Sequence, residues 1–249
     1  MERTLTPVGM LCRISEFYPT AVRELAEALG VEARFVGTPE EPRRQHWSEA
    51  LKDGRGCLLE AGGQVDDALA AGNFPLLIAG DCSIALTTLA ALHRHRPDAR
   101  VLWLDTHADF NTPETTKSDF LGGMALAGAC GLWDAGLAEP FPADRVVLAG
   151  VGDLDPPERE NLDGTGATVI GAGLDTLVAV QNALDGAPVY VHFDSDVLES
   201  IRAEKLYDLL EAVADESEIV GVQLNVEPAY MEGTAGALEP LLKDVGVHD

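Results

Sequence analysis

Val101-Leu102-Trp103-Leu104-Asp105-Thr106-His107-Ala108-Asp109-Phe110-Asn111 is an apolar run that ends in a cluster of metal-binding side chains. Four apolar residues in succession read as a strand buried on both faces, the kind found in parallel sheets. Asp105, His107 and Asp109 follow at a spacing of two, which in extended backbone throws all three side chains to one side. Two carboxylates and an imidazole then converge at the C-terminal edge of a sheet, where open α/β folds carry their chemistry.

Two other stretches share this design. Val189-Tyr190-Val191-His192-Phe193 reads as a buried strand and finishes in Asp194-Ser195-Asp196. Leu76-Leu77-Ile78-Ala79, entered through Phe74-Pro75, closes with Gly80-Asp81-Cys82-Ser83. A lone aspartate at a strand end is usually a helix cap or a turn former. Five carboxylates and a histidine at neighbouring strand ends are different, because they repel one another unless cations lie between them; the combination predicts a metal site.

Strand-like and helix-like segments alternate along the whole chain, which predicts a three-layer α/β/α domain with a mostly parallel sheet of about eight strands. Strands are expected at 8–14, 33–36, 76–79, 101–104, 145–151, 167–170, 189–193 and 220–226. Helices are expected at 20–29, 83–95, 175–185, 203–214 and 233–243, with a longer helical stretch over 47–71 broken at Gly54 and at Gly62-Gly63. The connection 112–128 lacks strand character, and loops of that length at a strand's C-terminal end usually carry function.

No linker or low-complexity tract divides the 249 residues, and a hydrophobic content of 46% suffices for one large core, so a single domain is expected. The balance of 17 basic against 42 acidic residues, 17 − 42 = −25, repels phosphate backbones and anionic lipid and favours a small cationic ligand. No apolar run approaches the roughly 20 residues that cross a bilayer, and the N-terminus has no basic region leading into a hydrophobic one, so a cytoplasmic protein is expected. Cys12, Cys57, Cys82 and Cys130 show no paired spacing; neither a disulfide framework nor a zinc knuckle is expected.

The chain resembles the arginase/agmatinase (ureohydrolase) family over nearly its full length. The family motifs Gly-Gly-Asp-His-Ser, Asp-Ala-His-x-Asp-x-Asn and Asp-x-Asp-x-x-Asp-Pro correspond here to Ala79-Gly80-Asp81-Cys82-Ser83, Asp105-Thr106-His107-Ala108-Asp109-Phe110-Asn111 and Asp194-Ser195-Asp196-Val197-Leu198-Glu199-Ser200. The resemblance implies two Mn²⁺ ions bridged by Asp105 and Asp194. Asp109 and Cys82 complete one shell, and His107 and Asp196 the other. Carboxylate and imidazole donors suit Mn²⁺, and water shared by two dications loses a proton near neutral pH, yielding a nucleophile for a guanidinium carbon. Asp109 is then placed to orient that nucleophile.

Further positions follow from the same likeness. Glu227, in Leu224-Asn225-Val226-Glu227-Pro228, matches the carboxylate that holds the guanidinium. The segment 111–118 resembles the arginase loop that binds an amino acid's α-carboxylate, through Asn111, Thr116 and Ser118, and Asp155 matches the aspartate that meets the α-ammonium. Neutral donors for an anion and a carboxylate for a cation are the groups a zwitterion needs, so an L-arginine-like guanidino amino acid is expected rather than agmatine. The family also forms homo-oligomers.

Three departures modify the expectation. Cysteine replaces histidine at 82, adding a soft donor or a thiol that stands aside. The family's proton-shuttling histidine falls at Gly122, leaving no general acid for an ornithine amine. In both changes the chain resembles the arginase-like enzymes that cleave Nω-hydroxy-L-arginine to L-ornithine and hydroxyurea, and the resemblance implies that substrate; an N-hydroxyguanidine is less basic and can relay a proton through its own hydroxyl, which gives a reason for dispensing with the histidine. The alternatives are an L-arginine hydrolase and a catalytically impaired ligand-binding relative. The third departure is length. Ser200 runs almost directly into the helix, so either the wall of the site is short or the sequence is closed over a missing segment. The loop at 14–18 is also abbreviated.

Overall fold

The computed structural model describes residues 3–12, 14, 19–39, 44–152 and 154–243. In chain order the elements are β1 (Leu5–Met10), α1 (Pro19–Ala28), β2 (Arg34–Val36), α2 (Trp47–Ala70), β3 (Phe74–Ala79), α3 (Ala85–His95), β4 (Arg100–Leu104), α4 (Ala125–Ala129) and β5 (Val146–Val151). They continue with α5 (Pro156–Leu162), β6 (Thr168–Gly171), α6 (Thr176–Leu184), β7 (Val189–Asp194), α7 (Ala203–Glu216), β8 (Ile219–Asn225) and α8 (Met231–Leu242). The eight strands form one sheet in the order β2-β1-β3-β8-β7-β4-β5-β6, and every pairing is parallel.

Strand alternation divides the core between the two faces. On β4, Val101 and Trp103 face the layer that holds α2, α3 and α4, while Leu102 and Leu104 face the layer that holds α1, α6, α7 and α8. Tyr190 on β7 joins the first layer, and Val191 and Phe193 join the second. All of these side chains are fully buried, which is why the strands read as unbroken apolar runs. Truncating one of the large ones, Trp103→Ala for example, costs about 3–5 kcal/mol.

Several expectations are corrected. The helix over 47–70 is continuous through Gly54 and Gly62. These glycines admit neighbours, since a Cβ at 54 meets Ile14 Cγ1 at 2.8 Å and one at 62 runs into the Thr87 hydroxyl. The segment 112–128 carries a 3-10 turn at Gly122–Met124 and the helix α4. Helix α5, seven residues long and led by two prolines, has no sequence expectation behind it. Cys12 and Cys57 are joined as a disulfide across 45 positions, contrary to the expectation of unpaired thiols. Among the described residues Cys82 and Cys130 are free.

The chain passes from Ser200 through buried Ile201 straight into α7, with Ile201 N–H donating to the Val197 carbonyl at 2.8 Å. The expectation for 14–18 rests largely on 15–18, and Asp153 interrupts the segment after β5; both lie outside the described residues. Among the described residues no helix is long and apolar enough to cross a membrane.

Candidate metal centre

The strand order brings β3, β8, β7 and β4 side by side, and the chemistry-bearing residues sit at their C-terminal ends. Register aligns Ala79 with Asn225 and Asn225 with Asp194, while Phe193 pairs with Leu104, one residue before Asp105. Cys82 opens the 3-10 turn that follows β3, capped by Asp81, whose Oδ1 accepts from Ser83 N–H at 2.8 Å. Gly150, at φ 94°, allows close approach beside Asp105: a Cβ there would meet Val197 Cγ2 at 2.7 Å and the Asp105 carbonyl at 3.2 Å.

Two groups of side chains converge closely enough to hold a metal ion. Asp105, His107 and Asp196 form one, their donor atoms all within 4.8 Å of one another; Cys82, Asp105, His192 and Asp194 form the other, on the same criterion. Asp105, 1% exposed, belongs to both. Its Oδ1 accepts from His107 N–H at 2.6 Å, and its Oδ2 accepts from the Trp103 indole at 3.2 Å. The Cys82 thiol donates to Asp194 Oδ2 at 3.2 Å and receives Asn225 Nδ2 at 2.6 Å. His107 is 70% exposed, and its Nδ1 lies 2.9 Å from Asp196 Oδ2 and 3.3 Å from Asp105 Oδ1.

Asp109 adopts φ 53°, a left-handed conformation that aspartate tolerates better than most residues, so the chain turns back at this point. Its carboxyl is buried, and Oδ2 has no partner among the described residues. Its charge acts on Cys82 and on His107.

Burial and mutual repulsion of carboxylates dominate the electrostatics of the cluster. Burial pushes the carboxyl of Asp105 up to about 6. Burial and the nearby Asp105 charge push Asp109 and Asp194 well above the usual carboxylate range, and burial followed by the surrounding aspartates does the same to the Cys82 thiol. His107, hydrogen-bonded to Asp105 and Asp196, is raised to about 12, and Asp196, despite a desolvation that raises it, is held low by that imidazolium. Among the described residues, Asp109 Oδ2, His192 Nε2 and Asn225 Oδ1 are buried without partners. Unpaired buried oxygen and nitrogen atoms gathered around carboxylates and the Cys82 thiol fit a divalent cation.

A cavity of about 470 Å³ opens beside this cluster, lined in part by His107, Asp109, Asn111, Ser118, Asp155 and Glu158. Asn111 Oδ1 accepts from Thr115 Oγ1 at 3.0 Å, and Asp155 pairs with Lys117 at 3.1 Å. Thr116 is half-buried and does not line the cavity, nor does Glu227, an exposed residue whose N–H donates to Ser195 Oγ at 2.9 Å. Burial, then the charges of Asp196 and Glu199, raise the Glu227 carboxyl.

Sequence reasoning missed Glu158, a buried carboxylate whose Oε1 accepts from Phe110 N–H at 3.0 Å, and Arg44, which lines the cavity and donates to the Ser118 carbonyl at 3.2 Å. It also left His192 as an ordinary core residue.

The family model described as "Arginase family" matches residues 16–203. An Nω-hydroxy-L-arginine amidinohydrolase of Streptomyces lavendulae is 42% identical over 71% of this chain and 65% of its own length. An arginase of Brevibacillus brevis is 34% identical over 53% of this chain and 46% of its own. The chain therefore spans less than two thirds of the length of these curated relatives. Among solved structures, an arginase of Bacillus subtilis superposes with a TM-score of 0.81 at 22% identity, covering 98% of this chain and 99% of that one.

Proposed function

The chain belongs to the arginase family, and from that premise we propose that it is an amidinohydrolase acting on Nω-hydroxy-L-arginine. Water and the substrate become L-ornithine and hydroxyurea, a product used in antibiotic assembly. The observation that carries this reading is the meeting of Cys82, Asp105, Asp194, His107 and Asp196 at the C-terminal ends of β3, β4 and β7 beside a substrate-sized cavity.

Two Mn²⁺ ions would be held by Asp105 and Asp194 together with Cys82 and Asp109 on one side and His107 and Asp196 on the other. When bound, the ions supply Lewis acidity and a nucleophile at neutral pH. The chain's own residues do the rest. Asp109, whose free Oδ2 faces no protein donor, holds and orients the attacking group's proton. Glu227 holds the guanidino group beyond the outer carboxylates. Asn111, Thr116 and Ser118 receive the α-carboxylate, and Asp155 exchanges Lys117 for the α-ammonium.

The leaving amine needs a proton, and Gly122 offers none. A Cβ at 122 meets Phe120 Cε1 at 2.5 Å, so the position a shuttling histidine needs is filled by that ring. The substrate's hydroxyl is the proton relay, which favours the hydroxylated substrate over L-arginine. The protein acts in the cytoplasm as a homo-oligomer of a single-domain chain.

Turnover of Nω-hydroxy-L-arginine and of L-arginine by the purified, Mn²⁺-loaded protein tests the reading. Hydroxyurea release at the higher kcat/KM supports it. Faster turnover of L-arginine overturns the substrate, and absence of bound Mn²⁺ overturns the chemistry.

A further inference from the structure

We propose that His192 is a metal ligand, the imidazole donor at the inner site where position 82 carries a thiol. The inference rests on reading the strand-end cluster as a divalent-cation site. His192 lies on β7 two residues before Asp194, so both side chains leave the same face of the strand. Its ring is completely buried and lies flat against Trp103, with centroids 3.4 Å apart and planes 8° from parallel. A ring nitrogen sits within 4.8 Å of Cys82 Sγ and of a carboxylate oxygen of both Asp105 and Asp194. Nε2 has no hydrogen-bond partner among the described residues.

A core histidine of purely structural use satisfies both nitrogens, since a buried unpaired N–H costs about 1–3 kcal/mol. Here the neighbours decide which nitrogen carries the proton. Thr88 Oγ1 lies 2.6 Å from Gln223 Oε1, and Gln223 Nε2 lies 2.8 Å from His192 Nδ1. In that arrangement the amide donates to Nδ1, the neutral ring is protonated at Nε2, and that N–H points at no acceptor. A half-turn of the Gln223 amide exchanges its nitrogen and oxygen and reverses the chain.

The Thr88 hydroxyl then donates to the Ile84 carbonyl, 3.3 Å away, and receives the amide N–H. Nδ1–H donates to Gln223 Oε1, and Nε2 presents a lone pair. Each contact along Ile84, Thr88, Gln223 and His192 then joins a donor to an acceptor, and the Nε2 lone pair is left for a Lewis acid. A ring whose second N–H is held by a carbonyl-type acceptor is the usual arrangement of a metal-bound histidine. The stack on Trp103, itself bonded to Asp105 through Nε1, fixes the ring's plane.

Pulsed electron paramagnetic resonance of the Mn²⁺-loaded, full-length protein counts coordinated imidazole nitrogens. Two are expected, from His107 and His192, with one remaining in His107→Ala and one in His192→Phe. Gln223→Leu removes the acceptor for Nδ1–H, and Mn²⁺ affinity by equilibrium dialysis should weaken about 10–100-fold. A single imidazole in the unsubstituted protein, its signal abolished by His107→Ala, overturns the proposal even if His192→Phe does not fold, and leaves the metal reading standing. Failure of the unsubstituted protein to bind Mn²⁺ overturns the metal reading, and the proposal with it.

Discussion

The two donor groups that share Asp105 solve the same electrostatic problem in opposite ways. At the outer group an exposed histidine sits between Asp105 and Asp196, is held protonated to about 12, and neutralises them from within the protein. At the inner group Cys82, Asp105 and His192 are buried and Asp194 partly so, with no positive side chain among them, and burial drives the acids toward their neutral forms. The outer group carries its own counter-charge, whereas the inner one has no positive side chain of its own. A metal entering the outer site has to displace a proton from His107; one entering the inner site displaces protons from acids and a thiol.

Breaking the shared member has the largest effect. Asp105→Asn should remove both cations and lower activity by about 10³-fold or more, since bound metal contributes several kcal/mol of transition-state stabilisation. Metal analysis beside kinetics checks it, and retention of both equivalents refutes the sharing. His107→Ala touches the outer group alone. One of two equivalents should be lost, with activity falling at least about 10–100-fold, the loss usual for a residue that merely supports a ligand.

The metal-free chain sharpens the contrast through pH. The carboxyls of Asp105 and Asp81, both raised by burial to about 6, bind protons more tightly folded than unfolded. Their contribution to stability is complete below about 4 and is lost as pH rises through about 6. The melting temperature of the chelated protein should therefore fall over that window, by about 2–4 °C per kcal/mol, and Mn²⁺ should remove the fall. A metal-free melting temperature that rises from pH 4 to 6 contradicts this account.

The smallest effect is expected at the cavity. Gly122→His requires only that the partly exposed Phe120 ring swing aside, so stability should change by about 1 kcal/mol or less. The ratio of L-arginine to hydroxyarginine turnover should rise, and an unchanged ratio removes Gly122 from the account of specificity.

Much of this arrangement was legible in the chain. Buried parallel strands announce themselves as runs such as Val101 to Leu104, and residues just past strand ends inherit their neighbours from the sheet, which brings Asp105 and His107 to Asp194 and Asp196; the extended-backbone expectation does not reach Asp109, where φ 53° turns the chain. What escaped had a tertiary cause. Gly54 and Gly62 look like helix breaks, yet their missing side chains admit Ile14 and Thr87 from other elements. Cys12 meets Cys57 only because α2 packs against the end of β1. His192 is flanked by Val191 and Phe193, and an apolar strand period absorbs it; only the unpaired nitrogen distinguishes it from a core residue. Glu158 belongs to a short helix whose sequence has no apolar period to mark it.

The position of β8 bears on how the chain matures. The last strand in sequence lies between β3 and β7, so during synthesis the growing polypeptide exposes two unpaired backbone edges until residue 225 has left the ribosome. The sheet is then zipped from its middle, and the same event brings Asn225 against Cys82 and Asp194. Nascent chains stalled before β8 should be sticky, protease-sensitive and unable to retain a divalent ion, which makes cation uptake a report on completed folding.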